Sequence, residues 1–113
     1  MSQTRIDAFT AMVKDQPDNE MIWYGLANEY SKLARWNEAI DALRNVIRLK
    51  PDYTSAYQLL GSALLQTGET EQARDIWTQG IAVANSTGAW KARQHMEGLL
   101  AALTTEAAPG FCQ

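Results

Sequence analysis

The chain has 113 residues and a mass of 12.6 kDa, which sets the expectation at one domain. With 46% apolar and 20% charged residues it has an ordinary globular balance, and this argues against general disorder. A net charge of -3 disfavours nucleic-acid binding, no apolar run approaches the length of a membrane span, and the opening MSQTRIDAF carries no apolar signal core. The single cysteine, Cys112, cannot form an internal disulfide or a cysteine zinc site, so a reducing, cytoplasmic location is expected.

Helical periodicity predicts six helices, at about Thr4–Gln16, Glu20–Leu33, Asn37–Leu49, Thr54–Gln66, Glu71–Asn85 and Ala89–Leu103. In the second, Trp23, Leu26, Ala27, Tyr30 and Leu33 recur at steps of three and four. In the third, Ala39, Ile40, Leu43, Val46 and Ile47 do the same, and Pro51 ends the stripe. The fourth carries Tyr57, Leu60, Gly61 and Leu64; the fifth carries Ala73, Ile76, Trp77, Gly80 and Ile81. Gly68 separates these two and supplies a left-handed residue at little cost. Ala34 stands at the equivalent turn, where the same conformation costs about 1–2 kcal/mol. Loops this short make neighbouring helices antiparallel. Residues 104–113 contain Pro109-Gly110 and no periodicity, and are read as a flexible tail.

Shifted by 34 residues, the chain matches itself. Pro17-Asp18 falls on Pro51-Asp52, Ile6-Asp7-Ala8 on Ile40-Asp41-Ala42, and Ala39 on Ala73. Phe9, Leu43 and Trp77 share a column of large residues; Ala27 and Gly61 share a column of small ones. Small residues let paired helices approach, and large ones fill the space between them.

These residues resemble the tetratricopeptide repeat (TPR) family, as a small bacterial-type member. Trp23, Leu26-Ala27, Tyr30, Ala39, Leu43, Val46 and Pro51 match in one unit. Tyr57, Leu60-Gly61, Leu64, Ala73, Trp77 and Gly80 match in the next, with Asn85 in place of the terminal proline. The resemblance implies an all-α, right-handed α-solenoid of antiparallel helix pairs. One domain would span 1–103: a half repeat at 1–19, repeats at 20–53 and 54–87, and a capping helix at 88–103. A strict shift would place Lys91, Gln94 and His95 in the core of the cap. A one-residue slip at Ser86-Thr87-Gly88 brings Ala92, Met96, Leu99 and Leu103 inward and avoids burying Lys91 unpaired.

No catalytic motif is present. His95 has no placed partner and is read as a surface histidine of the cap; Cys112 lies in the tail beside no base. No cofactor or metal is implied. Trp23 and Trp77 are assigned to the core and Trp36 to packing across a turn. Trp90 either packs under the preceding turn or is a partly exposed contact aromatic.

Repeat geometry lines the concave face with the first helix of each pair. The candidate partner-binding residues are Met21, Tyr24, Asn28 and Lys32 with Gly25 between them, then Ser55, Gln58, Leu59, Ser62 and Gln66, then Arg93 of the cap. Family members that hold acidic chaperone tails clamp the terminal carboxylate with Lys, Asn, Asn, Lys and Arg. The matching positions here are Tyr24, Asn28, Leu59, Ala89 and Arg93; without either lysine, that use is rejected. The expected function is a non-enzymatic interaction module that binds a peptide or helix of a partner protein, as a monomer or weak homo-oligomer, with no membrane or nucleic-acid partner. The alternative is a structural, self-associating protein that uses its terminal surfaces, where Ile6, Phe9 or Met12 would lie exposed.

Overall fold

A computed structural model describes residues 2–107, and the side chains of residues 3–103. Cys112 and residues 108–113 lie outside the described residues. The order is α1 (Ser2–Asp15), α2 (Glu20–Lys32), α3 (Trp36–Leu49), α4 (Thr54–Gln66), α5 (Thr70–Thr87) and α6 (Trp90–Ala107). The described residues contain no strand. Each helix packs on the next, so the chain stacks into an α-solenoid with extents of 54 × 30 × 19 Å.

The two full units share their joints. After Pro17, the Trp23 Nε1–H donates to the Pro17 carbonyl at 2.8 Å; after Pro51, the Tyr57 hydroxyl donates to the Pro51 carbonyl at 2.6 Å. One aromatic column therefore ties the turn before each pair to its first helix. At the turn inside each pair, Ala34 has φ 58° and Gly68 has φ 86°. Both turns close identically, with Arg35 N–H on Tyr30 C=O and Glu69 N–H on Leu64 C=O, each at 2.9 Å.

The core runs along the seam between first and second helices. Leu43, Val46, Leu60, Ala63 and Met96 are fully buried, and Trp77 nearly so. Close approach at α4/α5 depends on Gly61: a Cβ there would lie 2.1 Å from Trp77 Nε1. Trp23 and Trp36 are half-buried against this core.

At the C-terminal end, Asn85 in place of a helix-ending proline lets α5 run on to Thr87, where Gly88 at φ 78° stops it. The cap then takes the slipped register. Met96 and Leu103 are buried, Ala92 and Leu99 pack against the core, and Lys91, Gln94 and His95 are exposed. Three expectations need correction. First, α6 continues to Ala107, four residues into the segment expected to be a tail, because no helix-breaking residue occurs between Leu103 and Pro109-Gly110. Second, Ile6 is 3% exposed, since α2 covers it, so it is not a free terminal residue. Third, Trp90 does not pack under the turn. It is 56% exposed, with Lys91 Nζ 5.7 Å from its ring centroid.

Candidate functional site

Three helices converge on a depression of 220 Å³ lined by Tyr24, Ser55, Gln58, Leu59, Ser62 and His95. On α2, Tyr24 and Asn28 stand one turn apart and share a face. On α4, Ser55, Gln58, Leu59 and Ser62 form the same kind of stripe. α6 closes the third side, with His95 Nδ1 2.9 Å from Gln58 Nε2. With neutral His95 carrying its proton on Nε2, the Gln58 amide donates to Nδ1.

Tyr24 is the aromatic of the depression, and Tyr53 lies against its ring from outside the lining. The rings of Tyr24 and Tyr53 lie 5.1 Å apart at 35°. Burial pushes the Tyr24 phenol above its usual range, and the neighbouring Tyr53 adds to this; hydrogen bonds from Ser55 and Asn28 act in the opposite direction. Tyr53 is shifted the same way, by burial first and then by Glu20, with Lys50 opposing. Both phenols are therefore neutral donors near pH 7. No Asp, Glu, Lys or Arg lines the depression. It offers an aromatic face, one aliphatic side chain, hydroxyls, an amide and an imidazole. Such a set can bond amide groups of an extended chain, but it supplies no cation for a carboxylate.

Of the predicted residues, Tyr24, Ser55, Gln58, Leu59 and Ser62 come together here, and Asn28 joins them through Tyr24. Met21 is 68% exposed at the start of α2, and Gln66 is exposed at the far end of α4. Lys32 pairs with buried Glu29 at 3.2 Å, toward α1. Arg93 donates to Asn85 Oδ1 at 3.1 Å and approaches Glu97 at 3.9 Å, so its guanidinium is engaged by α5 and its own helix. His95 and Tyr53 were missed. Tyr53 occupies the position of Asn19 one period earlier. Asn19 caps its helix by accepting from Met21 N–H, whereas Tyr53 makes no side-chain cap. An aromatic where a capping residue is wanted was the available signal. For His95 the signal was the register slip itself, which takes it out of the core column.

A larger hollow of 540 Å³ follows the turn from Asp15 to Glu20. It is open, and only the α1–α2 turn and the helix ends beside it, Asp15 and Glu20, line it.

Among the described residues, no helix is long and apolar enough to cross a membrane, and no cluster of His, Cys, Asp and Glu could hold a metal ion.

Comparison with known proteins places this geometry. The chain is 29% identical over 91 residues to a TPR repeat-containing protein of Pseudomonas aeruginosa, covering 80% of this chain and 87% of that one. The solution structure of a Bordetella parapertussis protein superposes with a TM-score of 0.81 at 27% identity, over 91% of this chain and 90% of the other. The TPR2B domain of yeast Sti1, solved in complex with pHsp70, shares the fold with a TM-score of 0.86 at 18% identity, over 93% of this chain and 84% of the other. The tetratricopeptide repeat family model matches residues 32–103. The helix pairs, the 34-residue period and this match agree: the chain belongs to the tetratricopeptide repeat family.

Proposed function

We propose that the chain is a non-catalytic interaction module whose concave depression binds an extended, largely uncharged segment of a partner protein. The observation that carries this reading is the convergence of Tyr24, Ser55, Gln58, Leu59, Ser62 and His95 from three helices in one 220 Å³ depression. The tetratricopeptide repeat is a protein-interaction fold, and a yeast domain of the same shape is known in complex with pHsp70. The chemistry of the segment differs from that of an acidic tail. Tyr24 and Ala89 stand where the resemblance would require lysines, and Arg93 is turned to Asn85 and Glu97. An uncharged depression binds with little salt dependence. Affinity around micromolar is expected, because few side chains form the contact.

The test is selection from a displayed random peptide library, followed by amide chemical-shift mapping of the selected peptides. Shifts centred on Gln58, Leu59 and Ser62, with about tenfold weaker binding to the Tyr24→Ala, Leu59→Ala double variant, support the reading. Peptides that map to another face, or that bind the helical double variant as tightly as the parent, refute it.

A further inference from the structure

The first helix carries a second surface, independent of the concave depression. One period apart, the same columns recur on α1, α3 and α5. On α3, Ala42 is 2% exposed and Leu43 and Val46 are fully buried; on α5, Ile76 is 9% and Trp77 1% exposed. The α1 counterparts are open: Ala8 is exposed, Phe9 half-buried and Met12 44% exposed. Each second helix is covered by the helix before it, α3 by α2 and α5 by α4. Among the described residues no helix lies on this face of α1. Phe9 instead leans onto the following helix, where a Cβ on Gly25 would meet its ring at 2.7 Å. An apolar groove of 290 Å³ remains, lined by Arg5, Ala8, Phe9, Met12 and Glu29.

The charge at the rim decides what fits. Arg5 stands in the column of Ala39 and Ala73, both fully buried under their covering helices. A purely apolar helix laid on α1 would take water from a guanidinium whose carboxylate partner, Glu29, is 3.6 Å away and shared with Lys32, and covering a loosely paired charge is costly. The carboxylate of Glu29 is already shared by Arg5 at 3.6 Å and Lys32 at 3.2 Å. The Arg5 side chain is 65% exposed, and its guanidinium carries five N–H donors. The groove is continuous with the α1/α2 contact, so an occupant would extend an existing packed seam. We propose that this face of α1 docks an acidic amphipathic helix of a partner protein. Its apolar stripe would fill the groove over Ala8, Phe9 and Met12, and a carboxylate on the flank would pair with Arg5.

The probe is an acetylated, amidated, alanine-based helical peptide with Leu and Phe on one face and Glu beside them, compared with the same peptide carrying Gln for Glu. Amide shifts of the intact chain are followed on titration, with Arg5→Ala and Met12→Asp variants alongside. Both positions are exposed, and circular dichroism checks that the variants stay helical. The expected result is saturable shifts on Ala8, Phe9 and Met12. Binding should weaken about fivefold for the Gln peptide and for Arg5→Ala, the scale of a partly exposed ion pair. Met12→Asp should remove saturation. Equal binding of the two peptides, shifts centred on Gln58 and Ser62, or no saturation at millimolar peptide overturns the proposal. So does a dimer by light scattering that Met12→Asp dissolves, since a second copy would then cover the face.

Discussion

The same substitution, glycine to alanine, should act with opposite sign at two helical positions. At Gly61 the new Cβ would lie 2.1 Å from Trp77 Nε1, 2.4 Å from Cε2 and 2.6 Å from Cδ1. Real carbon atoms do not come this close, so the indole or the helix must move. The indole has little freedom: it is 1% exposed, and its N–H donates to the Gln58 carbonyl at 3.3 Å. Overpacking a filled core costs about 1–3 kcal/mol, and the severity of this overlap puts it at the upper end. Alanine regains about 1 kcal/mol of helix propensity. The net expectation is a loss of about 2 kcal/mol, the difference of those two terms. At Gly98, midway along α6, nothing lies within 4 Å of the added Cβ, so only the propensity term remains. Gly98→Ala should stabilise by about 0.5–1 kcal/mol. Urea unfolding followed by circular dichroism reads both, and a 2 kcal/mol change moves the midpoint by about 1 M at typical slopes. Unchanged or raised stability in Gly61→Ala would refute the tight α4/α5 seam. A destabilised Gly98→Ala would refute the open placement of that face of α6.

Two further predictions rest on backbone and phenol chemistry. Ala34 holds φ 58° where Gly68 holds φ 86°, so Ala34→Gly should stabilise by up to about 1 kcal/mol and Gly68→Ala should destabilise by about 1–2 kcal/mol; paired thermal melts that move in the same direction would contradict this. Burial raises the Tyr24, Tyr53 and Tyr57 phenols above the ordinary 10.0, so the folded chain holds those protons more tightly than the unfolded one. Stability is then intact below about pH 10 and falls as pH rises beyond it, a slope that Tyr24→Phe should flatten. Tyrosinate absorbance rising at the ordinary pH at all three sites would sink this reading.

What the sequence disclosed and what it hid have a common physical basis. The interior units are legible because each buried position appears twice, one period apart, under the same constraint. The Trp23 and Tyr57 column bonds the carbonyl of the preceding proline in both, and the Ala27 and Gly61 column is closed to solvent in both. The ends break that redundancy. Asn85 removes a stop, α5 lengthens to Thr87, and the cap turns so that Met96 rather than His95 enters the core; the Met96 sulfur lies 2.6 Å from where a Cβ on Gly80 would sit. The rotation that takes His95 out of the core also brings it beside Gln58. A residue lining the depression thus arose from a departure from the repeat, and no reading of the repeat alone could assign it. Arg5 follows the same logic at the other end. It breaks an alanine column and sets a guanidinium, 3.6 Å from the Glu29 carboxylate, where Ala39 and Ala73 are buried under a covering helix. Repetition in this chain therefore reports the scaffold, while the residues that depart from it, His95 and Arg5, are set by the ends of the stack, where a neighbouring repeat no longer imposes the column.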